Sequence, residues 1–133
     1  MMPRTTVGIG CKSGCSKEVL LLLLQQTLAN HGLDFSALIG IASLDRKADE
    51  PGLRALASSL QLPLHTFDAA ALLTFQSRLS HRSAVSFKHT GCFGVAESCA
   101  LALSETLGEG SARLLVPRQV LGGATLALAR LDP

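Results

Sequence analysis

The residues best equipped for chemistry lie in two short polar stretches. The first, Gly10-Cys11-Lys12-Ser13-Gly14-Cys15-Ser16-Lys17, puts two thiols and two lysines into a glycine-rich turn. It follows a short apolar strand built on Val7 and Ile9, so that Gly8, Gly10 and Gly14 read as the turn itself. A helix follows at once, with Ser16 as N-cap and Glu18 as a first-turn acid. A strand, a tight turn and a helix N-terminus leave several backbone N–H groups directed at one spot. That arrangement binds anionic oxygens, whether phosphate or carboxylate. Neither standard phosphate fingerprint is present, because Gly10 and Gly14 enclose only three residues and Gly8-x-Gly10 is followed by Gly14, not by a glycine at 13. Turn geometry alone would also account for these glycines.

The second stretch is Asp45-Arg46-Lys47-Ala48-Asp49-Glu50, five charged residues in six. Its plain reading is a solvated loop with a helix cap. Its functional reading comes from position: in an open α/β sheet, ligands bind beyond the carboxyl ends of the parallel strands. Gly10–Lys17 and Asp45–Glu50 both fall there, and the irregular segment 75–94 is placed to close over them. Cys11 and Cys15, four apart, offer a redox or metal pair whose thiol pKa values the following helix N-terminus would lower. No third ligand stands at a standard spacing, since Cys92 is remote and Cys99 belongs to an apolar helix row. No metal and no cofactor are therefore expected. Of the histidines, His81 and His89 are functional candidates ahead of His65, which sits in a strand. No Ser/His/Asp order or carboxylate pair marks a catalytic centre.

The elements that must position these residues alternate in type. Ser16–Asn30 reads as a helix with a broad leucine stripe (Leu20, Leu24, Leu28), packed flat on a sheet and closed by Gly32. Ala37–Leu44 is a continuous apolar run, as in a central strand. Pro51 opens a second amphipathic helix carrying Leu53, Leu56, Ala57 and Leu60, with Asp49 one residue out of place as its N-cap. Leu62–Phe67 is a short strand, and Asp68 caps a short helix through Leu73. The result is β-α-β-α-β-α, parallel strands joined by right-handed crossovers. Residues 75–94 lack apolar periodicity and read as a lid or a disordered stretch. Val95–Leu107 is helical, with Val95, Cys99, Leu103 and Leu107 in one row and Glu97, Ser98, Ser104 and Glu105 opposite. Ala112–Val120 and Ala124–Arg130 are strands joined at Gly122-Gly123, Pro117 marking an edge or bulge. The sheet is thus mixed, parallel at the front with an antiparallel hairpin at the back.

Composition narrows the rest. A chain of 133 residues with 47% hydrophobic and 17% charged residues is one compact domain. A net charge of +2 and the absence of Trp and Tyr speak against nucleic-acid or membrane-surface binding. The longest apolar run, Val19–Leu24, is far too short for a bilayer, and no signal peptide is visible. A cytoplasmic protein with four reduced thiols is expected.

Four motifs in order complete the pattern: Val7-Gly8-Ile9-Gly10-Cys11-Lys12, Ile41-Ala42-Ser43-Leu44-Asp45-Arg46-Lys47-Ala48-Asp49-Glu50-Pro51-Gly52-Leu53, Thr90-Gly91 through Val95-Ala96-Glu97-Ser98-Cys99-Ala100-Leu101, and Gly123-Ala124-Thr125-Leu126-Ala127-Leu128-Ala129. Together they resemble the family of the cobalamin-biosynthesis protein CobE and the C-terminal domain of CbiG, over nearly the whole chain. The resemblance implies a three-layer α/β/α sandwich with a mixed sheet, working in corrin-ring construction. In CbiG this domain is joined to another that opens a lactone on a cobalt-precorrin and releases a two-carbon aldehyde. The present chain resembles the free-standing version, associated with the oxygen-dependent route. The implied ligand is a precorrin, a tetrapyrrole ringed by acetate and propionate groups, with other corrin-pathway enzymes as possible partners. The implied binding residues are Gly10, Cys11, Lys12, Gly14, Asp45, Lys47, Asp49, Glu50, Thr90, Gly91 and Glu97. Lys12, Lys47, Arg82 and Lys88 would pair with the acid arms. Asp45, Asp49, Glu50 and Glu97 would meet pyrrole N–H groups or move protons, with His81 or His89 facing the ring. Gly94 stands where relatives often carry serine, and Cys92-Phe93 is unusual in that turn. Against this stand two rivals: a nucleotide- or sugar-phosphate enzyme using the glycine turn, and a thiol or metal protein using Cys11 and Cys15.

Overall fold

A computed structural model describes residues 4–131. The strands are β1 (Thr5–Cys11), β2 (Leu38–Leu44), β3 (Leu64–Phe67), β4 (Ala112–Leu121) and β5 (Ala124–Leu131). The helices are α1 (Lys17–Asn30), α2 (Pro51–Leu60), α3 (Ala69–Leu73), α4 (Ala84–Thr90) and α5 (Val95–Leu107). The five strands form one sheet in the order β3-β2-β1-β5-β4. β1 pairs in parallel with β2, and β2 with β3, while β5 runs antiparallel to both β1 and β4. The expected mixed sheet is present, and β5 lies inside it, beside β1. Hence Leu126, Ala127, Leu128 and Ala129 are all buried, on both faces.

Side-chain size differs sharply between those two faces. Alternation along the strands sends Val7, Ile9, Ile41, Leu126 and Leu128 to one side, where α1 and α2 cover them with Leu20, Leu24, Leu28, Leu53 and Leu56. On the other side lie Gly8, Ala42, Ala127 and Ala129, against α5. Small residues there let the α5 backbone come very close: a Cβ at Gly8 would stand 1.9 Å from the Ala96 carbonyl oxygen. Gly8 and Gly10 are therefore strand residues of β1, not parts of the turn, which is confined to Lys12–Ser16.

Helix ends follow their signals. Ser16 Oγ accepts from Val19 N at 3.1 Å, and Asp68 Oδ1 accepts from Ala71 N at 2.7 Å. Beyond α1, Leu33 N donates to Leu28 O at 2.9 Å, with Gly32 at φ +66 completing the stop. At α2 the N-cap is Glu50 rather than Asp49, and Pro51 is the first helical residue.

The second half departs from local pattern at two places, and of the two readings of 75–94 the disordered one is corrected. Segment 75–94 is ordered: it holds a short 3-10 turn (Gln76–Arg78) and α4, capped by Ser83 and closed by Gly91 at φ +77. On α5, the polar row opposite Val95 and Cys99 does not face solvent. Glu97, Ser98 and Ser104 are all buried, because β1, β4 and segment 79–93 cover that side as well. Ser104 Oγ meets Thr6 Oγ1 at 2.7 Å and Ser98 Oγ meets Cys92 Sγ at 3.5 Å, so both buried serine hydroxyls of α5 have a partner.

Candidate ligand cleft

The carboxyl ends of β1 and β2 open on a cleft of about 360 Å³. Its floor is Gly10, Cys11 and Leu44; one wall is the first turn of α5 with Gly94 and Val95; the other is formed by His81, Ser83, Val85, Ser86, Thr90 and Phe93 of the segment preceding α5. Lys12, Lys47 and Arg118 stand around it, with Gly123 and Thr125 closing the side toward the hairpin. Its surface is largely apolar, and its cations come from the β1 loop (Lys12), a 3-10 turn (Lys47) and β4 (Arg118), which suits an apolar body carrying anionic groups.

The two polar stretches do meet on one rim. Lys47 Nζ reaches Ser13 Oγ at 3.4 Å, and Gly14 N donates to Glu50 Oε2 at 3.4 Å. Gly52 makes the close approach possible, since a Cβ there would stand 2.1 Å from the Cys15 carbonyl oxygen. The consequence for anion binding is specific. Of the amides that the turn was expected to offer, Val19 N is used by Ser16, Gly14 N by Glu50 and Cys15 N by the Lys12 carbonyl at 3.1 Å. The protein supplies its own carboxylate to that spot. By contrast, α5 has no side-chain cap at Gly94, and its first residues border the cleft.

Of the eleven residues named from the sequence, Gly10, Cys11, Lys12, Lys47, Thr90 and Glu97 line the cleft. Gly14, Asp45, Asp49, Glu50 and Gly91 are not among its lining residues. Glu50 is bound to Lys47 at 3.6 Å and fastens the rim loops together. Asp49 is fully solvated and 3.5 Å from Arg54. Asp45 opens a 3-10 turn, where its carbonyl accepts from Ala48 N, and Gly91 ends α4. Thr90 Oγ1 is engaged locally, donating to Ser86 O at 2.7 Å and accepting from Cys92 N at 3.1 Å. Arg82, Lys88 and His89 lie on the outside of the α4 segment, where Arg46 Nη1 donates to the His89 carbonyl at 2.9 Å. Phe93 both packs and lines: its ring stacks on Phe87 at 4.5 Å between centroids while it borders the cleft.

Glu97 is the buried carboxylate of the site, 2% exposed. Its Oε1 accepts from Ser80 N at 2.8 Å, and its Oε2 accepts from Ser80 Oγ and, at 2.8 Å, from Arg118 N. Both oxygens are thus tied to the segments on either side of α5.

The thiols behave opposite to the expectation of a lowered pKa. Burial pushes the Cys11 thiol up to about 11, with the neighbouring Cys15 adding to the rise and Lys47 opposing it. Cys15 is also raised, again chiefly by burial. The amides that would have stabilised a thiolate are taken by Glu50 and the cap, and Glu50 itself is negative. Among the described residues no group of three or more His, Cys, Asp or Glu could hold a metal ion. Also among the described residues, no helix is long and apolar enough to cross a membrane.

Arg118, Ser83, Val85, Ser86, Gly123 and Thr125 were not singled out from the sequence. Arg118 had a usable signal: Pro117 announces a break in the β4 ladder, and the register indeed slips between Val116 and Gln119. Ser83 and Gly91, eight residues apart, were the cap pair that could have found α4.

Comparisons with known proteins bear on the family and the fold. The family described as Cobalamin synthesis G C-terminus matches residues 5–129. Protein CobE of Sinorhizobium sp is 36% identical over 124 residues, covering 92% of this chain and 77% of its own. A cobalt-precorrin-5A hydrolase of Salmonella typhimurium is 41% identical over 73 residues, 55% of this chain but only 21% of the hydrolase. Among solved structures, CobE, a protein from the cobalamin (vitamin B12) biosynthetic pathway, superimposes with a TM-score of 0.93 at 46% identity, covering 99% of this chain and 93% of its own. The cobalamin biosynthesis protein chiG from Agrobacterium tumefaciens gives a TM-score of 0.69 at 31% identity, covering 97% and 99%.

Proposed function

Because the chain belongs to the Cobalamin synthesis G C-terminus family, we propose that its cleft binds a precorrin-type tetrapyrrole by an acid-bearing edge, as carrier or catalyst in oxygen-dependent corrin construction. The observation that carries this reading is the pairing of a largely apolar cleft with cations left open at its mouth. Among the described residues, neither Lys12 nor Arg118 has a side-chain hydrogen bond or an ion pair. A macrocycle offers an apolar body for the walls and acetate or propionate arms for those cations. A volume of about 360 Å³ is near the low end for small-molecule sites, so one side of the macrocycle enters and the remainder stays outside. Carriage is favoured over catalysis because Glu97, the buried carboxylate of the cleft, ties Ser80 to the Arg118 main chain. Four free thiols fit a reducing compartment, the cytoplasm, where other corrin-pathway enzymes would deliver or receive the ligand.

The nucleotide reading is less favoured, since Glu50 takes the Gly14 amide and Ser16 the Val19 amide. The test is an absorbance titration with cobyrinic acid, a corrin with free acid arms, beside its amidated counterpart cobinamide. The acid form should bind, and added salt should weaken it. Lys12→Ala should cost about 1–3 kcal/mol of affinity, roughly fivefold to 150-fold, with an unchanged melting temperature. Equal binding of the acid and amidated corrins, or no spectral change with either, refutes the proposal.

A further inference from the structure

Glu97 poses a physical question. A carboxylate 2% exposed at the first turn of a helix is costly to bury, and no cation accompanies it. Its three donors are instead Ser80 N, Ser80 Oγ and Arg118 N, from segments 17 and 21 residues away on either side. One segment leads directly into His81 and the other carries Arg118, both of which line the cleft. The ladder between β4 and β5 slips between Val116 and Gln119, and Arg118 N bonds to Glu97 instead. Such a bulge re-aims side chains and is frequent beside functional sites.

We propose that Arg118, together with His81, is the specificity-determining pair for a ligand carboxylate, and that Glu97 is the positioning residue holding both. This rests on the reading of the cleft as a polycarboxylate site and names the residues that would choose the ligand there. Arg118 offers a planar, permanently charged fork that matches a carboxylate with two parallel bonds, and no described residue occupies it. Lys12 approaches from the β1 end of the same cleft, so the two cations would take separate acid arms of one ligand. Glu97 never touches the ligand in this scheme. It fixes where the two walls stand.

The experiment measures affinity for cobyrinic acid by absorbance, with melting temperature recorded for each variant. Arg118→Ala should weaken binding about tenfold at unchanged melting temperature, and Arg118→Lys should restore only part of it, lacking the fork. Glu97→Gln should lose a similar factor, and the double variant Glu97→Gln/Arg118→Ala should be little worse than either single one, because both changes remove the same contact. A purely structural Glu97 would lower the melting temperature and leave the two losses multiplying, which overturns the positioning role. Should Glu97→Gln fail to fold, Ser80→Ala decides the matter, since it removes one of the three bonds at an exposed residue. A loss of about threefold supports positioning, and an unchanged affinity overturns it. Wild-type protein that fails to bind cobyrinic acid sinks the reading of the cleft itself. Normal binding by Arg118→Ala overturns only the pair proposed here.

Discussion

Replacing Gly8 by alanine should be among the most damaging single-methyl changes in this chain, although nothing about the backbone at Gly8 demands glycine. Its φ is not in the left-handed region. The constraint is space. A Cβ at Gly8 would stand 1.9 Å from the Ala96 carbonyl oxygen and 2.5 Å from Ala100 N, both main-chain atoms of α5. A carbon–oxygen contact settles at about 3.3 Å. The α5 backbone must therefore retreat by roughly 1.4 Å, the difference between that distance and 1.9 Å. Gaps of about 0.5–1 Å already forfeit a quarter to a half of each contact's attraction. Cys99, Ala100, Leu101 and Leu103 are all essentially unexposed on this helix, so the loss is spread over the whole seam. Overpacking typically costs about 1–3 kcal/mol and occasionally more, and contact with rigid main chain puts Gly8→Ala at about 3 kcal/mol or above. The retreat also carries Val95 and Ala96 out of the cleft wall, so corrin affinity should fall in whatever protein remains folded. Gly14→Ala is the control. Gly14 sits at φ +83 with nothing within 4 Å of its added Cβ, so only conformational strain of about 1 kcal/mol applies. Urea unfolding monitored by circular dichroism separates the two. A Gly8→Ala cost below about 1 kcal/mol, or no larger than that of Gly14→Ala, would refute the close-packing argument.

Two further outcomes concern titrating groups. Burial tends to raise the Glu105 pKa, but hydrogen bonds from Arg78 Nη2 at 2.6 Å and Ala112 N at 2.7 Å, with the Arg78 charge, carry it below its usual value. A depressed folded-state pKa contributes stability that is complete above the unfolded value of about 4.3 and is lost as pH falls through the folded one. Melting temperature should therefore drop more steeply with acid in the wild type than in Arg78→Ala, and parallel acid limbs would contradict this. For Cys11, a pKa of about 11 leaves roughly a hundredfold less thiolate at pH 8 than the ordinary value of 9.0 would. Iodoacetamide should label Cys11 correspondingly slowly in the folded protein and at the ordinary rate in urea, whereas rapid labelling in the native state would mean the site is open.

What the sequence disclosed was mostly what depends on local pattern. Leucine stripes, the run Ala37–Leu44, the caps Ser16 and Asp68, and Gly122-Gly123 each act within a few residues, and each element stands where that local signal put it. Segment 75–94 escaped because α4 buries no side chain fully: Val85 is 68% exposed and Phe87 42%, so no apolar period exists to be read. The helix is held instead by its caps and by the Phe87–Phe93 stack. The burial of the polar row of α5 was not legible for the opposite reason. Helical spacing shows that Glu97 and Ser104 share a side, but whether that side meets water depends on β1, β4 and the segment before α5, which reach it from far along the chain.

The same limit explains the glycine turn. Counting glycines and a helix start correctly predicts a concentration of main-chain N–H groups, yet it cannot say whether an outside anion will find them free. Glu50 lies 36 residues from Gly14, and it reaches that amide only because Gly52 lets α2 settle against the Cys15 carbonyl. A glycine quoted only as part of a motif thus decides the fate of the neighbouring loop. Once Glu50 occupies the turn, an incoming carboxylate must bind where positive charge remains uncompensated. Lys47 is engaged by Glu50, which leaves Lys12 and Arg118 among the residues lining a largely apolar cleft. The proposed recognition of a large polyanion by two separated cations, rather than of a compact phosphate by a nest of amides, rests on that internal competition.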